Sequence, residues 1–298
     1  AGIEWTVSID GDLTDDALGL TVTLNGAPSA TVNPGDTIDI AVTADVDGAP
    51  EGVNLYGRIT LTPSDPTVPT VTMPVLVVPS SAVLPADYAF TTRRNAGSQV
   101  LGPIQTEAVT DLAGSVAWVF PDVTEATLTE DPTPGDIYDD LGQVDVHFVT
   151  IPAGTASAEF EVVATDMSDL DMFVGTGASL GDVSEANEVA MSATATALEH
   201  VQLTNPEPGD YWVLIQNWEA SAPGGTDPYT LNVALVPDQA NGTGTFTAPA
   251  GTIPTGQEYD VTVTWDLPDL AEGDVVYGAA VLGGPLDSAG HIATMPLR

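Results

Sequence analysis

Lysine and cysteine are both missing from this chain, and its only strong cations are four arginines, Arg58, Arg93, Arg94 and Arg298. Without thiols there can be no disulfides, iron-sulfur clusters or cysteine-ligated zinc. Set against 43 Asp and Glu, the four arginines leave a formal charge of -39 at pH 7. Nucleic acid and anionic lipid are held by Lys and Arg that displace counterions, so neither is an expected partner. Long apolar runs are also missing. The longest aliphatic stretch, around residues 75–78, is far too short to cross a bilayer, so membrane insertion is not expected. No basic stretch followed by an apolar run opens the sequence at Ala1, and an exported parent is therefore expected to have been trimmed. Helical periodicity is scarce, with residues 183–191 the only candidate for a turn or two.

What is present is enough to build a core. Hydrophobic residues make up 43% of the chain, which separates it from acidic disordered segments. A uniformly acidic surface stays soluble where salt shortens electrostatic range, which suits a secreted protein of a marine or salt-tolerant bacterium. The 29 glycines and 24 prolines punctuate short runs rich in Val, Thr, Ile and aromatics, the signature of strands joined by turns. Ile3, Trp5, Val7 and Ile9 alternate with Glu4, Thr6 and Ser8, and Ile38, Ile40 and Val42 alternate with Thr37, Asp39 and Ala41. Each run predicts a strand with one buried face.

The sequence also resembles itself. Residues 27–58 align without gaps on residues 248–279 at a constant offset of 221, pairing Pro28 with Pro249, Gly35 with Gly256, Val42 with Val263, Tyr56 with Tyr277 and Gly57 with Gly278. After a one-residue shift, Thr72-Met73-Pro74-Val75 answers Thr294-Met295-Pro296-Leu297. The expectation is an all-β chain of three sandwich or jelly-roll modules in series. The modules span 1–85, 86–237 and 238–298, with the first and third immunoglobulin- or fibronectin-III-like and related by internal duplication. In the middle region Ala156, Ala158, Phe160 and Val162 predict one face of a strand. Leu170, Met172 and Val174 oppose Asp169 and Asp171 on a second. Residues 211–216 are apolar on both sides, as in a central strand.

Several segments carry a family resemblance. The stretch 48–80 resembles the fibronectin-III-like domain that follows the catalytic domain of large secreted bacterial subtilisin-like serine peptidases, and TTRRNAGSQ resembles the linker after it. VTIPAGTASAEFEVVA, DLDMFVGTG and LEHVQLTNPEPGDYWVLIQNW are similar, in order and spacing, to the pre-peptidase C-terminal domain. The final module resembles the small sandwich that closes such peptidases. The resemblance implies a non-catalytic accessory region for stability, spacing or attachment to a protein, cell-surface or polysaccharide substrate. The peptidase motifs for Asp, His and Ser are absent from this chain, and His147, His200 and His291 all sit in strand-like contexts. An alternative is a self-associating subunit of an extracellular filament or surface layer, and another is a carbohydrate- or protein-binding module.

Three acidic clusters offer oxygen ligands, for which calcium is the candidate cofactor. Asp166, Ser168, Asp169 and Asp171 lie at one loop-strand junction. Asp10, Asp12, Asp15 and Asp16 form a second cluster, and Glu130, Asp131, Asp136, Asp139 and Asp140 a third. Asn217 and Trp218, after the YWV strand, are the candidate ligand platform. Arg93 and Arg94, a basic pair in an acidic chain, are expected to clamp nearby carboxylates at a module junction.

Overall fold

Dense turn chemistry breaks the chain into short β-branched runs, which the computed structural model assembles into antiparallel sheets. It describes residues 2–11, 21–43, 55–77, 82–85 and 88–298. The chain is all-β, built of sandwich modules, and divides into two compact units, 1–81 and 82–298.

The first unit holds β1 (Ile3–Gly11), β2 (Thr21–Leu24), β3 (Ser29–Val32), β4 (Ile40–Thr43), β5 (Leu55–Pro63) and β6 (Val71–Val77). Four of these form a sheet in the order β3-β1-β5-β6, and β2 pairs with β4. The alternation in β1 reads out as expected, with Ile3, Trp5, Val7 and Ile9 partly buried and Glu4, Thr6 and Ser8 exposed. Leu24 and Ile59 are the fully buried anchors.

The second unit begins with β7 (Ala82–Val83), β8 (Ala96–Thr106), β9 (Val109–Thr110) and β10 (Gly114–Val119). A middle group follows, comprising β11 (Asp122–Thr129), β12 (Asp145–Ile151), β13 (Thr155–Thr165), β14 (Asp169–Thr176), β15 (Glu188–Ser192), β16 (His200–Thr204), β17 (Gly209–Glu219) and β18 (Thr226–Pro237). The unit closes with β19 (Phe246–Thr247), β20 (Thr252–Ile253), β21 (Tyr259–Asp266), β22 (Tyr277–Gly283) and β23 (His291–Leu297). The middle group makes two facing four-stranded sheets, β11-β18-β13-β16 and β12-β17-β14-β15. Phe160, Met172, Ile215 and Tyr229 lie buried in the core they share. Strand β17 is interior to its sheet and buried on both faces, as its sequence predicts. Residues 183–191 are not a helix: a short 3-10 turn at Glu185–Asn187 leads straight into β15.

The expected boundary between a module at 86–237 and another at 238–298 is corrected by the strand pairing. Strand β8 pairs with β21, so that Gly97 faces Trp265, and β10 pairs with β22, so that Trp118 faces Gly278. The terminal sandwich is therefore discontinuous. It is made of β7–β10 and β19–β23, and the middle module is an insert between β10 and β19. Sixty-one residues ending the chain have too few strands to enclose a core, and the strands from 96–119 complete it around Trp118, Val263, Trp265 and Leu282. The modules are thus not simply in series.

Insert and host share a seam. Ala156, Ala234 and Val236 of the insert pack on Ala117, Tyr277, Ala279 and Val281 of the sandwich. This corrects the reading of Ala156 as a facemate of Phe160. A bulge between Thr155 and Ser157 turns Ala156 toward the seam. On this same side of β13 Glu161 reaches across to accept hydrogen bonds from Tyr277 and Arg298, while Asn232 donates to the Tyr277 hydroxyl. A carboxylate buried in this way persists because its oxygens are satisfied and one partner is cationic.

Candidate functional site

The predicted calcium junction lies where β13 turns into β14. Strand alternation puts Leu170 and Met172 into the core and leaves Asp169 and Asp171 on the opposite face. Ser168 is committed to structure, its hydroxyl donating to the Ala220 carbonyl at 3.1 Å and its amide to Glu219 at 2.9 Å. Asp171 is buried. Burial first, and then the negative charges of Asp169 and Glu199, push its carboxyl up to about 6. Asp169 is also shifted up, by burial first and then by the negative charges of Glu199 and Glu219. Among the described residues no three His, Asp or Glu side chains are grouped so as to hold a metal ion.

The other acidic clusters are turn builders where they are described. Asp131 is buried, accepts from the Thr133 amide at 2.9 Å and receives Gln216 Nε2 at 2.6 Å. Asp136 and Asp140 accept from the amides two residues on, at Tyr138 and Gly142, and Glu130 accepts from Gly224. Asp12, Asp15, Asp16 and the side chain of Asp10 lie outside the described residues.

Asn217 and Trp218 do not share a surface. Asn217 is wholly buried, its Nδ2 donating to the Leu128 carbonyl at 3.0 Å, while Trp218 sits exposed at the bulge between the pairs Asp169–Glu219 and Leu170–Asn217. His147 and His200 are likewise held in structural contacts, while His291 lies on β23 with its Nδ1 buried and without a hydrogen-bond partner among the described residues. His147 Nε2 lies 2.8 Å from the Tyr229 hydroxyl, which donates to Asp145, and burial holds the imidazole below its ordinary value. His200 Nε2 lies 2.8 Å from the buried Glu159, whose other oxygen accepts from Ser157. The carboxylate stands between imidazole and hydroxyl, the wrong order for a base activating a nucleophile.

A feature that the sequence signalled only through Arg93 and Arg94 is a groove of about 1020 Å³ in the second unit. One wall is the strap 89–95, the other is the turn 270–276, and Trp118 and Trp265 form the floor. Glycine fixes both tryptophans. Their cross-strand partners are Gly278 and Gly97, where a Cβ would come within 2.5 Å of indole ring atoms. Each indole nitrogen is also satisfied, Trp118 donating to the Thr264 carbonyl at 2.9 Å and Trp265 to the Arg94 carbonyl at 3.0 Å. Phe90 rests on both rings, at 5.9 and 5.4 Å between centroids. Arg93 and Arg94 are exposed and make no ion pair among the described residues, which corrects the expectation that they clamp carboxylates. Asp274, on the facing turn, instead folds back to accept from the Ala271 amide at 2.8 Å.

No family model and no curated protein matches the chain. Solved structures similar to it include the secreted serine protease VesC from Vibrio cholerae, at 10% identity and a TM-score of 0.23, over 80% of this chain and 45% of that one. Another is the M60 catalytic domain with the CBM51-1 and CBM51-2 domains from Clostridium perfringens ZmpB, at 9% identity and a TM-score of 0.22, over 97% of this chain and 40% of that one. A carbohydrate-binding module of the β-sandwich superfamily matches at 11% identity and a TM-score of 0.17, over 88% of this chain and 82% of that one. This chain spans less than half the length of the first two, and at these TM-scores the likenesses carry no argument about its function. Among the described residues no helix is long and apolar enough to cross a membrane.

Proposed function

We propose that this chain is a non-catalytic accessory region of a secreted subtilisin-like serine peptidase, attaching its parent to a protein or cell-surface substrate. One contrast supports the reading. His147, His200 and the buried Glu159 are tied into structural hydrogen bonds, whereas the large groove presents apolar side chains and two arginines with no ion pair among the described residues, the make-up of a binding surface. The test is a parent enzyme with and without residues 1–298. Loss of the region should leave hydrolysis of a short soluble peptide unchanged and slow the digestion of insoluble protein; equal loss on both substrates would overturn the reading. A carbohydrate-binding role is the second reading, favoured by the exposed ring of Trp218. Trp218→Ala should then weaken retention on an insoluble glycan.

We also infer that the first and terminal sandwiches are copies of one module, the second split by an insertion after β10, the counterpart of β1. Strand register supports this. Gly57 pairs with Val75 as Gly278 pairs with Leu297, and β1 flanks β5 opposite β6 as β10 flanks β22 opposite β23. Replacing residues 120–239 by a short turn should leave a sandwich that still melts cooperatively; a remnant without a cooperative transition would count against a complete module interrupted by an insert.

A further inference from the structure

Three of the four basic residues of a chain carrying a formal charge of -39 line one groove: Arg93, Arg94 and Arg298. Arg298 is engaged by Glu161, while Arg93 and Arg94 are exposed and have no acid paired to them among the described residues. Among the described residues the main-chain amides of Thr92 and Arg93, on the same strap, have no hydrogen-bond acceptor. Two guanidinium groups beside two open amides form a carboxylate receptor, since each supplies donors that a carboxylate accepts in pairs. Below them the groove is apolar, lined by Phe90, Leu267, Leu270, Val275 and Val276.

We propose that this groove binds an extended segment of another protein, seating one carboxylate against Arg93 and Arg94 and its apolar neighbours along the floor. The groove's own chemistry favours a peptide over a glycan. Sugars stack on an exposed aromatic face, but Trp118 and Trp265 are only 4% and 7% exposed and their indole nitrogens are already used. The aliphatic side chains of the lining suit Leu and Val, not hydroxyls. A polyanionic glycan is opposed twice, by the field of the whole chain and by Glu272 and Asp274 on the facing wall. Those two acids also set the polarity of the ligand, because a carboxylate is accepted along the strap and rejected along the turn. The proposal rests on reading the groove as a binding surface and is independent of any link to a peptidase.

The test is calorimetric titration of the full chain with a blocked hexapeptide, Val-Leu-Glu-Leu-Val-Thr, alongside its Gln counterpart and tri-galacturonate. The Glu peptide is expected to bind about tenfold more tightly than the Gln peptide, the effect of one charge-assisted contact of partly exposed groups. The double variant Arg93→Gln/Arg94→Gln should bind both peptides alike, at the weaker level. Leu270→Ala should weaken both peptides and keep their ratio. Unchanged melting of each variant confirms that the fold is intact. No binding of the Glu peptide, equal binding of Glu and Gln peptides by the native chain, an undiminished preference in the double variant, or tighter binding of tri-galacturonate would each overturn the proposal. Failure here leaves the peptidase reading standing, because that is read from insoluble-substrate digestion by the parent.

Discussion

Tyr56 and Tyr277 hold matching places in the first and terminal sandwiches, each near the start of a paired strand and one residue before a glycine. Yet 57% of Tyr56 is exposed and none of Tyr277. The local sequence is not the cause. Tyr277 is covered by the insert, against Ala156 and Ala234, and its hydroxyl is held between Glu161 and Asn232. The same strand can carry a surface tyrosine or a core one, depending on what the rest of the chain lays over it.

The largest expected effect tests this contrast directly. Tyr277→Ala removes a large buried ring and leaves one Glu161 oxygen without its donor, and should destabilise the second unit by about 4 kcal/mol. Tyr56→Ala should change the first unit by less than about 1 kcal/mol. Thermal unfolding with the two transitions resolved, or each unit followed by hydrogen exchange, would read both. Similar losses in both units would mean that the seam contributes nothing to stability.

Gly278→Ala comes next. Its Cβ would press into the Trp118 ring, which cannot move freely because Thr264 holds its nitrogen. Overpacking of this kind costs about 2 kcal/mol and should also raise the floor of the groove. A red-shifted tryptophan emission, together with a lowered melting temperature of the second unit, is the expected readout.

A third difference is electrostatic. Asp171, buried in the second unit, has its carboxyl pushed up to about 6 by burial and then by Asp169 and Glu199. The folded state therefore binds this proton more tightly than the unfolded chain. The stabilisation is complete below the unfolded value near pH 4 and is lost as pH rises through about 6. Asp171→Asn should thus stabilise the second unit at pH 8 by about 2 kcal/mol and leave it unchanged at pH 4. Asp36 in the first unit is shifted down by its hydrogen bonds from Asn33, so its contribution is present at neutral pH and fades on acidification. Asp36→Asn should accordingly destabilise at pH 8, opposite in sign to the buried site. Urea midpoints across pH 4–8 would separate the two.

How much of this was legible in the sequence follows from the range over which each signal acts. The alternation of Ile3 to Ile9 and the two apolar faces of residues 211–216 are local, and the strands formed as predicted. The split of the terminal sandwich was not legible, because nothing near Gly97 states that its partner is Trp265, more than a hundred residues away. The single-residue bulge that re-aims Ala156 leaves no mark on composition. The groove was visible only in the oddity of Arg93-Arg94, since the hydrogen bonds that satisfy both tryptophans are tertiary.

The smallest expected effect is also the most direct comparison of the two sandwiches. Val42 and Val263 align residue for residue, but Val42 is 41% exposed and Val263 fully buried. Among the described residues β4 pairs with β2 alone, whereas β21 is held between β19 and β8 and packs under Trp118. Substituting threonine keeps the branched shape and adds one hydroxyl, so the measurement isolates desolvation from volume. Val263→Thr should cost about 1.5 kcal/mol, because the new hydroxyl is buried without a designed partner, and Val42→Thr should stay within about 0.5 kcal/mol of the native chain. If both variants cost the same, the burial difference would not reflect the extra pairing strand, and the contrast between the open and the enclosed strand would fail at its most conservative position.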